Sequence, residues 1–196
     1  MGAYIQYIII GVVVLAVVFV AAYIKAGIDE KKGVDSEEKR KIQEIVKRVV
    51  PDWEAYTAAY ATRKEWSPAR GGSAIETSYW YYAAAFKPGD LYLIPLSFAG
   101  GDMSYQEPIH MGVEDFGMAE ALPGTLRLYD KDRKEIMALI VIASNTKEDK
   151  YHPVNIQQPE AAEAFGQFAQ DFMQQVNAAN GITDLKMAKH MAKLKK

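Results

Sequence analysis

The chain has 196 residues and a formal net charge of -2, with 49% of its residues hydrophobic and 11% aromatic, a composition that buries a core instead of remaining disordered. It contains no cysteine, which excludes structural disulfides, cysteine-ligated zinc, iron–sulfur clusters and a cysteine nucleophile. Residues 25–50 carry eight basic and six acidic side chains, 51–183 ten and eighteen, and 184–196 five and one. An acidic globular part between basic flanks is a poor general binder of nucleic acid, whose attraction depends on clustered Lys and Arg.

Residues 4–24 carry no charge, and as a helix they span about 31 Å, the thickness of a bilayer's hydrocarbon core. A single transmembrane anchor over 1–27 is predicted, with Ile10, Val14, Phe19 and Ile24 along the span and Tyr4, Tyr7 and Tyr23 at the headgroup levels. A cleaved signal peptide would need a basic leader, a shorter apolar run and small residues where Tyr23 and Lys25 stand. Gln6 occupies the position where a myristoylation signal needs Ser or Thr. No basic side chain precedes the run, whereas Lys25, Lys31, Lys32, Lys39, Arg40 and Lys41 follow it. Because Lys and Arg resist translocation, the expected location is the cell membrane, with the N-terminus outside and the soluble region cytoplasmic.

Residues 28–72 read as a linker followed by amphipathic helices. Asp35 and Glu38 form a capping pattern, and Ile42, Ile45, Val46 and Val49 recur at helical spacing, so a helix is expected over 36–50, solvated on one side and apolar along one stripe. Pro51 interrupts it, and a second helix is expected over 52–64 with Trp53, Tyr56 and Tyr60 on one face.

Beyond the Pro68 and Gly71-Gly72 loop the character changes to strands, expected over 77–86, 90–98, 105–111, 116–122, 125–129 and 135–142. Pro88-Gly89, Pro123-Gly124 and residues 130–134 supply the turns. Six or seven short strands in succession indicate an antiparallel bent sheet or barrel in an α+β soluble domain. Phe165, Phe168, Ala169, Phe172 and Val176 then return to helical spacing, ending near Asn180-Gly181. This helix is expected to cap the open side of the sheet and close a domain spanning 73–180, ahead of a basic tail at 181–196.

That order resembles the pleckstrin-homology-like fold, a bent seven-stranded sheet capped by a C-terminal helix, in its small bacterial form attached to a single-pass membrane anchor. The resemblance is carried by the strand Asp90-Leu-Tyr-Leu-Ile-Pro-Leu96, the segment Pro108-Ile-His-Met-Gly-Val-Glu-Asp-Phe-Gly-Met118, the hairpin Gly124-Thr-Leu-Arg-Leu-Tyr-Asp-Lys-Asp-Arg-Lys-Glu-Ile136 and the 165–176 helix. It implies a binding or scaffolding module more readily than an enzyme. Members that bind inositol phosphates place several basic residues on their first two strands, and residues 73–98 hold only Lys87.

Chemistry-bearing constellations are sparse. His110, His152 and His190 are expected in a strand, a loop and the tail, without metal-ligand spacing. Asp130, Asp132 and Glu135 crowd a turn but lack the Gly and distal Glu of a calcium loop, and Lys131, Arg133 and Lys134 oppose a cation. No catalytic residue, cofactor or metal is expected. Tyr79, Trp80, Tyr81 and Tyr82 alternate across a strand, so the exposed half is the candidate partner-binding face. The expected role is a membrane-tethered, non-enzymatic module engaging a protein partner at the cytoplasmic face, with no nucleic acid. One alternative is a sensor of anionic lipid through Lys186, Lys189, Lys193, Lys195 and Lys196. The other is an extracytoplasmic envelope protein of unrecognised activity.

Overall fold

The computed structural model describes residues 37–68, 75–98, 102–145 and 153–184, without the side chains of 66–68 and 75–77. The 4–24 run, with Tyr4, Ile10, Val14, Phe19 and Ile24, lies outside the described residues, as does the tail from Lys186 to Lys196. Among the described residues no helix is long and apolar enough to cross a membrane.

Helix α1, Glu37–Val49, forms where its pattern predicts. Glu37 and Glu38 sit in the first turn and Lys47 and Arg48 in the last, complementing the helix dipole. Its stripe of Ile42, Ile45 and Val46 is buried. The helix is therefore a layer of the domain, packed by one face.

The expected second helix does not form. Asp52 adopts a left-handed backbone (φ 51°, ψ 35°), and only one 3-10 turn follows, Trp53–Ala55. Strand β1 then occupies Thr57–Pro68, paired along its whole length with β2, Ile75–Lys87, from Thr57↔Phe86 to Pro68↔Ile75. Ala-rich spacing imitates a helix here, but Thr57, Tyr60 and Thr62 also suit a strand, and a full-length partner decides between the two. The sheet thus begins inside the segment read from sequence as linker and helices.

After β2 come β3 (Asp90–Ser97), β4 (Ser104–Tyr105), β5 (Ile109–Gly112), a 3-10 turn (Val113–Asp115), β6 (Met118–Leu122), β7 (Thr125–Tyr129) and β8 (Glu135–Ile140). The strand expected over 105–111 is split, and both pieces pair with β3. Gly89 (φ 77°) and Gly124 (φ 65°) occupy the left-handed turn positions that favour glycine. The eight strands form one antiparallel sheet in the order β4-β3-β2-β1-β8-β7-β6, with β5 also on β3. The last strand returns to lie beside the first, an arrangement compatible with the pleckstrin-homology-like order. Short strands β9 (Ser144–Asn145) and β10 (Ile156–Gln157) pair with each other, and helix α2, Pro159–Ala179, closes the domain.

Two cores lie on opposite faces of the β1–β3 wing. Tyr82, Ala84, Phe86, Leu91 and Leu93 point to the inner face, where they meet Phe165, Phe168, Phe172 and Val176 of α2. The ring centroids of Phe86 and Phe165 are 5.4 Å apart. Ala83, Ala85, Ile94 and Leu96 point outward and meet Ile42, Ile45 and Val46 of α1. The period-2 alternation of β2 and β3 therefore carries apolar residues on both faces, because both are covered.

Candidate functional site

Two groups of side chains stand out, one anticipated and one not. Strand alternation separates the four consecutive aromatic residues of β2, Tyr79 to Tyr82. Tyr82 is buried in the inner core, where burial pushes its phenol up against the opposing charge of Arg63. Tyr81 is half-buried on the outer side, stacked on Tyr60 at 6.3 Å and edge-on to Phe98 at 5.4 Å. Tyr79 lies under the Lys64 ammonium, 5.8 Å from its ring centre. Trp80 remains 50% exposed. It pairs across the ladder with Arg63, beyond the last β2–β3 pair, Tyr81↔Leu96.

The second group gathers at the β2–β3 turn. The first residue of β3, Asp90, accepts the Tyr56 hydroxyl on Oδ2 at 2.5 Å, and its Oδ1 lies 2.5 Å from His110 Nε2. The His110 ring stacks on Tyr92 at 4.3 Å, its cross-strand neighbour in the β3–β5 ladder. Tyr92 meets Tyr56 edge-on at 5.6 Å. The Lys87 ammonium sits 4.3 Å above the Tyr56 ring and 3.7 Å from Asp90 Oδ2.

Charges in this cluster are mutually compensated. Burial pushes the Asp90 carboxyl up, but hydrogen bonds from Tyr56 and His110, with the charges of His110 and Lys87, outweigh it and hold the group below its usual range. Burial, then the bond to Asp90, raises the Tyr56 phenol. The hydrogen bond with Tyr56 raises Lys87. A protonated phenol, a charged ammonium and a saturated carboxylate are poor nucleophiles and bases at neutral pH. The arrangement works as a clip, tying the chain before β1 and the short strand β5 to the β2–β3 turn. No local motif marks it, since the β1–β2 register brings Tyr56, and the β3–β5 register His110, to the Lys87–Asp90 turn.

The remaining candidates have local roles. Asp130 Oδ1 accepts the Lys134 backbone N–H at 2.8 Å, and the Lys131 ammonium donates to the carbonyls of Glu114 and Phe116 at 2.6 and 2.8 Å. Asp115 Oδ2 accepts the Gly112 N–H at 2.7 Å. Among the described residues no three His, Asp or Glu side chains gather as a metal ion would need. A groove of about 470 Å³ lies between α1 and the start of α2, with Ile42, Gln43, Tyr60 and Gln158 in its wall. Compared with protein-family models, curated proteins and solved structures, the chain matches none.

Proposed function

We propose that the chain is a membrane-tethered, non-catalytic module whose pleckstrin-homology-like domain holds a protein partner on the cytoplasmic side of the bilayer. The tether is supported by the uncharged 4–24 run, and the orientation by basic residues that follow this run and none that precede it. The observation that carries the partner reading is Trp80, 50% exposed where β3 no longer flanks β2. A large rigid ring at the surface supplies much of the contact energy at protein interfaces, where Trp is enriched among the residues that dominate binding.

The test places a photo-crosslinking amino acid at position 80 of the full-length protein, with a C-terminal tag, in intact cells. The expected result is a tag protected from external protease and a discrete crosslinked species. Cleavage of the tag from outside would reverse the orientation, and an uncrosslinked position 80 would remove the partner reading.

A further inference from the structure

Strands β1 and β8 join the two wings through only two register pairs, Thr62↔Ile140 and Arg63↔Leu139. Yet β1 continues to Pro68 and β8 begins at Glu135, so the strands diverge on that side. Between them runs a groove of about 540 Å³ whose walls include Arg63, Glu65, Arg127, Ile136, Ala138 and Ile140.

Three observations define what this groove recognises. The first is main chain. Tyr60 directs its N–H and carbonyl away from β2, to Gln158, so two residues on Thr62 directs its own toward β8 and Ile140. The same period turns the N–H and carbonyl of Ala138 toward the groove, where no β1 residue is registered opposite it. The second is apolar surface. Helix α1 covers the outer face of β1–β3 only, and on the other wing Ile136 and Leu122 stay 45% and 38% exposed. The third is a loosely held cation, the Arg127 side chain, which is 40% exposed. Its Nε is buried and unbonded, and its ion pair with Glu120, at 3.9 Å, is too long for a hydrogen bond, while Glu120 also accepts the Tyr129 hydroxyl at 3.3 Å.

We propose that this groove takes an extended peptide segment that adds to the β8 edge as a further strand and sets a carboxylate side chain against Arg127. An added strand satisfies the edge amides while its alternate side chains fill the apolar positions. A carboxylate matches the planar guanidinium fork. The groove wall carries Arg63, Lys64 and Arg127 against Glu65 and Glu135, with Arg63 already 3.7 Å from Glu65, so Arg127, whose Nε makes no hydrogen bond, is the position that favours a carboxylate. This inference rests on the partner reading and names the chemistry of the partner.

The test selects random ten-residue peptides by display on the full-length protein in detergent micelles, then measures their affinity. The expected pool has Asp or Glu at a fixed position among alternating apolar residues. Arg127→Gln should weaken binding roughly tenfold or more, the worth of a charge-assisted hydrogen bond. Methylating alternate backbone nitrogens of the peptide should abolish binding without touching the protein. An empty selection, a pool without an acidic position, or binding indifferent to Arg127→Gln or to N-methylation would overturn the proposal. A crosslink at position 80 alongside any of these failures leaves the partner reading standing and removes only the groove.

Discussion

The carboxamide of Gln158 bonds both backbone groups of Tyr60: Oε1 accepts its N–H and Nε2 donates to its carbonyl, each at 2.8 Å. The same Nε2 reaches the Ile142 carbonyl at 2.8 Å. A side chain here takes the place of a strand, filling the part of the β1 edge that β8 does not reach. Gln158 immediately precedes Pro159, the first residue of α2, so this contact also fixes where the closing helix enters. Asn177 does the same near the other end of α2, with Oδ1 and Nδ2 both 3.0 Å from the backbone N and O of Ala119 on β6.

Gln158→Ala should therefore destabilise the domain by about 2–4 kcal/mol, because buried amide groups lose their partners. Urea unfolding would show this as a lower midpoint at unchanged slope. Gln158→Glu should be worse at neutral pH, since a carboxylate would face two carbonyls and burial would raise its pKa. Part of that loss should return as pH falls and the introduced carboxyl is protonated.

The Asp90 clip predicts two limbs of pH dependence. Its carboxyl is held below the ordinary aspartate range, so the stabilisation is present above that range and disappears as pH falls through the lower, folded-state value. The Tyr56 phenol is raised above the ordinary tyrosine range, so its contribution is present below that range and is lost as pH rises through the higher folded-state value. Asp90→Asn should flatten the acid limb, and Tyr56→Phe the alkaline one, in melting temperatures measured across pH.

Two glycines separate close approach from helix entropy. A Cβ at Gly117 would lie 2.3 Å from the Asp130 carbonyl oxygen and 2.6 Å from Lys131 Cα. Gly117→Ala should then cost about 1–3 kcal/mol through displaced backbone. At Gly166, within α2, an added Cβ meets nothing within 4 Å. Gly166→Ala should raise stability by about 0.5–1 kcal/mol, readable in the same melts.

Helix α1 tests whether the outer core is integral to the fold. Ile42 is 2% exposed against β-sheet residues of the outer cluster, so Ile42→Ala should cost about 2–4 kcal/mol. A substitution at exposed Glu44 should stay within about 0.5 kcal/mol. Equal small effects at both positions would show that α1 is dispensable.

Much of the architecture was legible from local pattern. The stripes of α1 and α2 are buried as their spacing predicts, and Pro88-Gly89 and Pro123-Gly124 make the turns their chemistry favours. The misread segment is 52–64, where Trp53, Tyr56 and Tyr60 share a helical face on paper. In the fold Trp53 is on the surface and Tyr60 is fully buried in a strand. The Asp90 clip was illegible because Tyr56 lies 31 residues before, and His110 20 residues after, the Lys87–Asp90 turn that they join, and no motif links them to it.

By itself, the sequence determined the uncharged N-terminal run, the absence of cysteine chemistry, the antiparallel strand succession and the closing amphipathic helix. All of these depend on composition or on periodicity within one element. Only the tertiary structure decided that residues 57–68 are a strand, that α1 covers the outer face of one wing, that amides of Gln158 and Asn177 complete two sheet edges, and that a groove opens where β1 leaves β8. Each is a choice between partners distant in the chain, and the energy that settles it comes from register and burial, which no local window of sequence contains.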